Sequence, residues 1–285
     1  MAKRTDTAEA QDLGLGESEG TQSALATRGE SALEMIPEAE LAGDAGAGYE
    51  EERSEDVQIP TLVILQKMSP QLDEAHAAYL PGAKAGQICD TLLGRLFDGE
   101  SGIRVLSAHF RPQVNLMKID GDAASFVESF EVTDPRAAQP TRRDEKNRDV
   151  LVADTGYFLQ DVALHFVLLL ADGMGEPYAI RMRRTALRPS KRWNSLLRQY
   201  QPLLVDGVSK PRPRFSVVSK LRTVREEKDG KSWHTWAPEI VGALTDARLY
   251  REARSFHQLL VEGRVKVRPD ELDGIPEAPD DGVPV

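Results

Sequence analysis

The chain has 285 residues, 40% of them hydrophobic, which is enough to bury a core in one large domain or two small ones. Its most apolar stretch, 162–171, is about half of what a membrane-spanning helix needs, and no apolar signal region follows the Met-Ala-Lys-Arg start. A single cysteine, Cys89, excludes an internal disulfide framework and a cysteine-cluster zinc site, so the composition predicts a soluble cytoplasmic protein with no membrane partner.

Residues 1–56 are rich in Ala, Gly, Glu, Ser and Thr and carry 15 acids against four bases, which predicts a disordered acidic arm. A weak, isolated helix over 30–41 is the one element expected there, on a partial stripe of Leu33, Ile36 and Leu41. The folded region spans 57–268 and shows no internal repeat. Residues 269–285, with six acids, no base and repeated Pro and Gly, predict a disordered acidic tail.

Within 57–268 short apolar segments are bounded by Gly, Pro and Asp, the pattern of strands rather than long helices. Segments 61–66, 87–93 and 103–110 come first, and the turn-forming Phe97-Asp-Gly-Glu-Ser-Gly102 predicts that the last two pair. Pro112 is expected to break the chain before a further strand at 114–119. The polar segment 133–149 reads as a long loop, either a groove cover or a plain insertion. Segment 157–170 is the strongest strand, and Asp172-Gly173 with Gly175 turns it into 178–186. In that second strand Tyr178, Ile180 and Met182 fall on one face, and Arg181 and Arg183 on the other.

Segment 189–200 places Trp193, Leu196, Leu197 and Tyr200 at helical spacing, with Pro189 or Ser190 at its start. Segments 215–225 and 231–241 form a hairpin about Lys228-Asp229-Gly230-Lys231. A terminal helix is predicted over 246–262, stopped by Gly263. About seven strands with these additions fit a mostly β fold: an OB-like Greek-key barrel with a short helix between hairpins and a C-terminal helix.

The net charge of −10 disfavours a phosphate-binding surface on average, yet the charge is segregated. Between 181 and 225 lie 13 Lys/Arg and one acid, Asp206, a net of +12. A site for unpaired strands needs cations along the phosphates and aromatic faces for the bases. The candidates are Arg181, Arg183, Arg184, Arg188, Lys191 and Arg192, then Arg212, Arg214, Lys220 and Arg222, with the chain's three tryptophans, Trp193, Trp233 and Trp236. Trp193, on an amphipathic helix face, fits a core position as well as a platform. Trp233 and Trp236 differ in strand parity, so one of them at most lines a groove.

The segments Asp56-Val-Gln-Ile-Pro-Thr-Leu-Val-Ile-Leu-Gln66 with Ser69-Pro70, Gly82-Ala-Lys-Ala-Gly-Gln-Ile-Cys-Asp-Thr91, Arg184-Thr-Ala-Leu-Arg-Pro-Ser-Lys-Arg-Trp-Asn194 and Asp229-Gly-Lys-Ser-Trp233, followed by an acidic end, resemble bacteriophage single-stranded DNA-binding proteins of replication modules. The resemblance runs from about residue 56 to 267 and into the tail. It implies an OB barrel whose sheet face and loops hold single-stranded DNA, and an acidic tail that recruits replication or recombination proteins and competes for the groove. It also implies residence in the host cell cytoplasm and no cofactor. The chain departs from the family by ending Val283-Pro284-Val285 rather than on an aromatic, and by its long acidic N-terminal arm. A homo-oligomer is compatible with this reading.

Two other classes compete. A metal-dependent nuclease would need gathered carboxylates, for which Asp154, Asp161, Asp172 and Glu176 are near in sequence but form no paired motif. The five histidines (76, 109, 165, 234, 257) lack zinc-ligand spacing, and His165 in an apolar strand reads as a core residue. Cys89 reads as a small buried hydrophobe, and no phosphate-binding Gly-x4-Gly-Lys-Ser/Thr loop occurs. A structural or adaptor phage protein is the third class. The expectation is therefore a non-enzymatic DNA-binding protein with neither metal nor catalytic residues.

Overall fold

A computed structural model describes residues 37–45, 47, 48, 59–121, 123–171, 173–228 and 230–265. The expected tail, most of the expected arm, and turn residues 172 and 229 lie outside the described residues. Residues 1–51 form a unit of their own, and its one described element is a six-residue helix, α1 (Glu38–Gly43), which overlaps the end of the weak helix expected over 30–41 and runs two residues past it.

The second unit is mostly β. A small sheet is made of β1 (Leu62–Ile64), β2 (Ile88–Asp90) and β3 (Leu96–Phe97), with β2 in the middle. The main sheet contains β4 (Ile103–Asp120), β5 (Ala123–Glu131), β6 (Thr141–Arg143), β7 (Asp149–Leu151), β8 (Tyr157–Ala171), β9 (Met174–Arg183), β12 (Val217–Lys228) and β13 (Lys231–Ala243). Its order is β13-β12-β4-β8-β7-β6, with β5 also paired to β4 and β9 also paired to β8, and it curls strongly into a half-barrel. A separate hairpin, β10 (Leu203–Val205) and β11 (Val208–Lys210), follows the helix α2 (Leu187–Gln199), and α3 (Ala247–Val261) closes the described chain.

The long middle strand explains the architecture. On β8, Ala163, Val167 and Leu169 join one buried cluster with Trp193 and Leu197 of α2, while Leu164, Phe166 and Leu168 join another with Leu249, Ala253, Phe256 and Leu260 of α3. Both faces are covered, which is why the segment reads as one continuous apolar run. Each fully buried large side chain contributes roughly 1.5–3 kcal/mol, so these two layers dominate the stability of the unit. His165 sits in the first layer, with Nε2 2.8 Å from Ser190 Oγ and its ring stacked 4.7 Å from Trp193. Burial, reinforced by the Arg214 charge, holds its pKa well below the usual value, so it stays neutral.

The helix ends follow local chemistry. Asp246 caps α3 by accepting from the N–H groups of Arg248 (2.7 Å) and Leu249 (3.1 Å), a contribution of about 1 kcal/mol. Gly263, with φ 69°, lets the chain turn out of the helix. Pro189 lies in the first turn of α2, where backbone N–H groups have no intrahelical partner to lose.

Three expectations fail for identifiable reasons. Segment 87–93 does not pair with 103–110; β2 pairs with β1 and β3 instead, because Asp98 accepts from Ser101 N and its carbonyl from Gly102 N, bending the chain away. Pro112 does not break β4. One edge of β4 pairs with β8 from 105 to 118, whereas the other is taken by β12 at 103–106 and by β5 from 113 on, so the missing N–H falls in an unpaired interval. Segment 133–149 is not a bare loop; it holds a 3-10 turn at Pro135–Ala138, then β6 and the start of β7.

Candidate functional site

The main sheet forks along one edge of β8. β7 pairs with that edge at 158–159 and β9 from 162 onward, so residues 160–161 have a strand on the β4 side alone. β9 ends where Arg184 takes a left-handed conformation (φ 51°), costly for a residue with a side chain, and the chain leaves the sheet through a 3-10 turn (Arg184–Ala186) into α2. A groove of about 910 Å³ opens in the fork.

Four segments line it. Phe158 to Asp161 of β8 form the floor; Arg184, Thr185, Leu187, Arg188 and Lys191 form the α2 wall. Arg143, Lys146, Asn147, Arg148 and Asp149 come from the β6–β7 turn and the strand ends that flank it, and Glu226, Glu227, Lys228 and Trp233 from the tip of the β12–β13 hairpin. Seven Lys/Arg thus face four acids.

These bases are not equivalent. Arg148 is committed to structure: its Nε lies 2.7 Å from Asp144 Oδ2 and its guanidinium 5.5 Å from the Phe158 ring centroid. Burial pushes the Asp144 pKa up, but the hydrogen bonds from Arg148 outweigh it and the carboxyl titrates below its usual range. Arg143 reaches Asp149 at 3.4 Å and donates to the Asn147 carbonyl at 2.7 Å. Arg188, Lys191 and Lys228 are exposed and have no carboxylate partner among the described residues. Trp233 is half-buried at the rim, so part of its ring is open to a ligand.

Of the residues expected from sequence, the fold brings Arg184, Arg188, Lys191 and Trp233 into the groove. Arg183 lies beside it and donates to Gln160 Oε1 at 3.4 Å, and Arg181 shares its strand face. Arg192 is exposed on α2 outside the lining. Two of the three indoles are enclosed and offer no face to a base. Trp193 is 0% exposed and donates its indole N–H to Ser219 Oγ at 3.0 Å; Trp236 is 5% exposed in the same cluster. Amphipathic packing, not ligand contact, therefore places Trp193, and strand parity turns Trp236 inward as Trp233 turns outward.

The second half of the basic run lies elsewhere. Arg214 Nε and Nη2 donate to buried Ser107 Oγ at 3.1 and 3.0 Å, and Nη2 donates to Asn194 Oδ1 at 2.9 Å. Burial lowers its pKa to about 10, so it remains charged at neutral pH as an internal bolt between β4 and α2. Arg222 pairs with Glu239 across the β12–β13 ladder, Arg212 donates to Gln201 Oε1 at 3.3 Å, and Lys220 is partly buried on β12. None of these four lines the groove. Sequence reasoning missed Arg143, Lys146, Arg148, Lys228 and Gln160, and weighed Asp161 as a metal-binding carboxylate alone. The polar 133–149 segment was the available signal for the first three.

Other chemistry is dispersed. Glu176 pairs with Arg95, Asp154 is exposed, and Asp161 alone of the three described nuclease candidates lines the groove. Among the described residues no three His, Cys, Asp or Glu side chains gather as a metal site would require. Cys89 is buried, and burial together with the Asp90 charge pushes its thiol pKa up to about 11. No helix of the described residues is long and apolar enough to cross a membrane.

The profile of the Pam3 phage gp34-like protein family matches residues 29–266, and the chain belongs to that family. No curated protein matches the chain. No solved structure does either.

Proposed function

We propose that this phage-family protein binds single-stranded DNA in the forked groove, largely without sequence preference, and so shields replication or recombination intermediates in the host cytoplasm. The curled half-barrel is read as OB-like, with the strand lying across its open edge. One observation carries the reading: the unpartnered cations Arg188, Lys191 and Lys228 share a groove with the half-open ring of Trp233. Cations without internal partners are available for phosphates, and an aromatic face accepts any base. The acids of the groove limit affinity. Residues 270–281, which hold six acids, compete for the same cations and recruit replication or recombination proteins.

The test is a titration of the full chain with oligo(dT), followed by tryptophan fluorescence at several salt concentrations. Stacking on Trp233 quenches emission, and three phosphate contacts give a slope of log K against log salt of about −2, from about −0.7 per contact. Deleting 269–285 tightens binding at low salt. A magnesium-dependent loss of the strand would identify a nuclease instead. Neither quenching nor salt-dependent binding would leave an adaptor protein and end the proposal.

A further inference from the structure

The β10–β11 hairpin stands apart from both buried layers. Residues 201–211 are all exposed, and Leu204, at 76%, is the most exposed large hydrophobic residue among those described. Asp206 and Gly207 both adopt left-handed conformations (φ 51° and 78°), giving a two-residue turn of the kind that matches strand twist. The register is Leu203 with Lys210, Leu204 with Ser209 and Val205 with Val208, and among the described residues neither strand pairs with anything else. A lone two-stranded hairpin is marginal in water, and an apolar strand with a free edge is a template for pairing.

We infer that the free edge of β10 pairs with the same edge of a second copy of this chain, about a two-fold axis through Leu204. The pair Val205 and Val208 flanks a two-residue turn and exchanges its hydrogen bonds within the hairpin; alternation then points the N–H and C=O of Leu204 outward. Antiparallel pairing about the axis sets Leu204 against Leu204 of the second copy and Leu203 against Val205, with no like charges opposed. The same operation on β11 would set Val208 against Lys210, a poorer match. Charge complementarity favours the β10 edge as well. Asp206 of each copy falls beside position 202 of the other, next to Gln201, which Arg212 holds at 3.3 Å, so an acid meets a cation twice across the axis. Pro202 has no N–H to extend the ladder, so the contact stays short and closes at two copies.

Sedimentation of the full chain over a hundredfold concentration range tests this independently of the groove. The expected result is a mass that rises from monomer to dimer, and a Leu204→Glu variant that stays monomeric with an unchanged melting temperature. Facing Cα atoms in such a pair lie about 5.5 Å apart, within disulfide reach. Leu204→Cys therefore forms a covalent dimer on mild oxidation, whereas Leu93→Cys, 66% exposed in the wild-type residue, does not, and buried Cys89 adds no background. A monomer at every concentration, a dimer indifferent to Leu204→Glu, or equal cross-linking of both cysteine variants overturns the inference.

Discussion

Arg188 and Arg214 belong to one basic run in the sequence, yet their replacement by alanine should have opposite consequences. Arg214→Ala removes three hydrogen bonds to Ser107 Oγ and Asn194 Oδ1 and strips the guanidinium from above the Phe110 ring, 5.5 Å away. Hydrogen bonds from a charged donor contribute about 1.5–3 kcal/mol each, but removal also relieves the desolvation of a buried cation, so the net loss is about 2–3 kcal/mol. At about 2–4 °C per kcal/mol for a unit of this size, the melting temperature falls by about 4–12 °C. DNA affinity well below that temperature changes less than about twofold, since Arg214 does not line the groove. Arg188→Ala touches an exposed side chain and shifts stability by no more than about 0.5 kcal/mol. It should make the salt slope shallower by about 0.7. Thermal melts read beside fluorescence anisotropy of labelled oligo(dT) separate the two. Finding that Arg214→Ala melts like wild type while losing DNA, or that Arg188→Ala does the reverse, would refute the assignment of the groove.

Three further outcomes follow from the same geometry. Trp233→Phe should abolish most DNA-induced quenching, whereas the emission of Trp193 and Trp236 is insensitive to DNA; Trp233→Ala weakens binding by about 1–3 kcal/mol per stacked base, measured by anisotropy. Burial first, then the charges of Arg111, His257 and Arg214, holds His109 near pKa 4, against about 6.5 unfolded. The unfolded chain thus binds the extra proton, so stability should be flat above pH 6.5, fall between 6.5 and about 4, and fall less steeply in His109→Gln, as read by urea melts across pH. Gly99→Ala sets a Cβ 1.9 Å from the Gly86 carbonyl oxygen and 2.2 Å from Thr223 Oγ1. Backbone must move there, so a loss of several kcal/mol is expected, seen as a lowered denaturation midpoint.

Periodicity alone sufficed where an element meets one kind of neighbour. The hairpin of β8 and β9, the stripe of α2 and the capped α3 are all legible within a few residues, because local turn chemistry and the buried face agree. Pairing beyond the two expected hairpins, β8 with β9 and β12 with β13, was not legible. Whether Pro112 ends a strand depends on which strand lies opposite, and that is decided by β12 and β5, far along the chain. β5 and the β10–β11 hairpin went unread because their exposed positions carry little alternation between apolar and polar residues. The groove was half visible. Clustering of bases pointed to Arg184, Arg188 and Lys191, but density of charge cannot distinguish an open cation from Arg214, whose partners sit 20 and 107 residues away.

If the groove holds a strand as proposed, the unlaced interval of β8 offers it a contact that no amino-acid replacement can easily erase. Peptide groups of residues 160–161 facing that edge have no strand opposite them, and they sit on the groove floor. Such groups are the same whatever side chain stands there, so an alanine scan of every lining residue would leave their share of the affinity in place. Removing it would take a change in the chain itself, such as a backbone ester, and the affinity lost on that change would measure it.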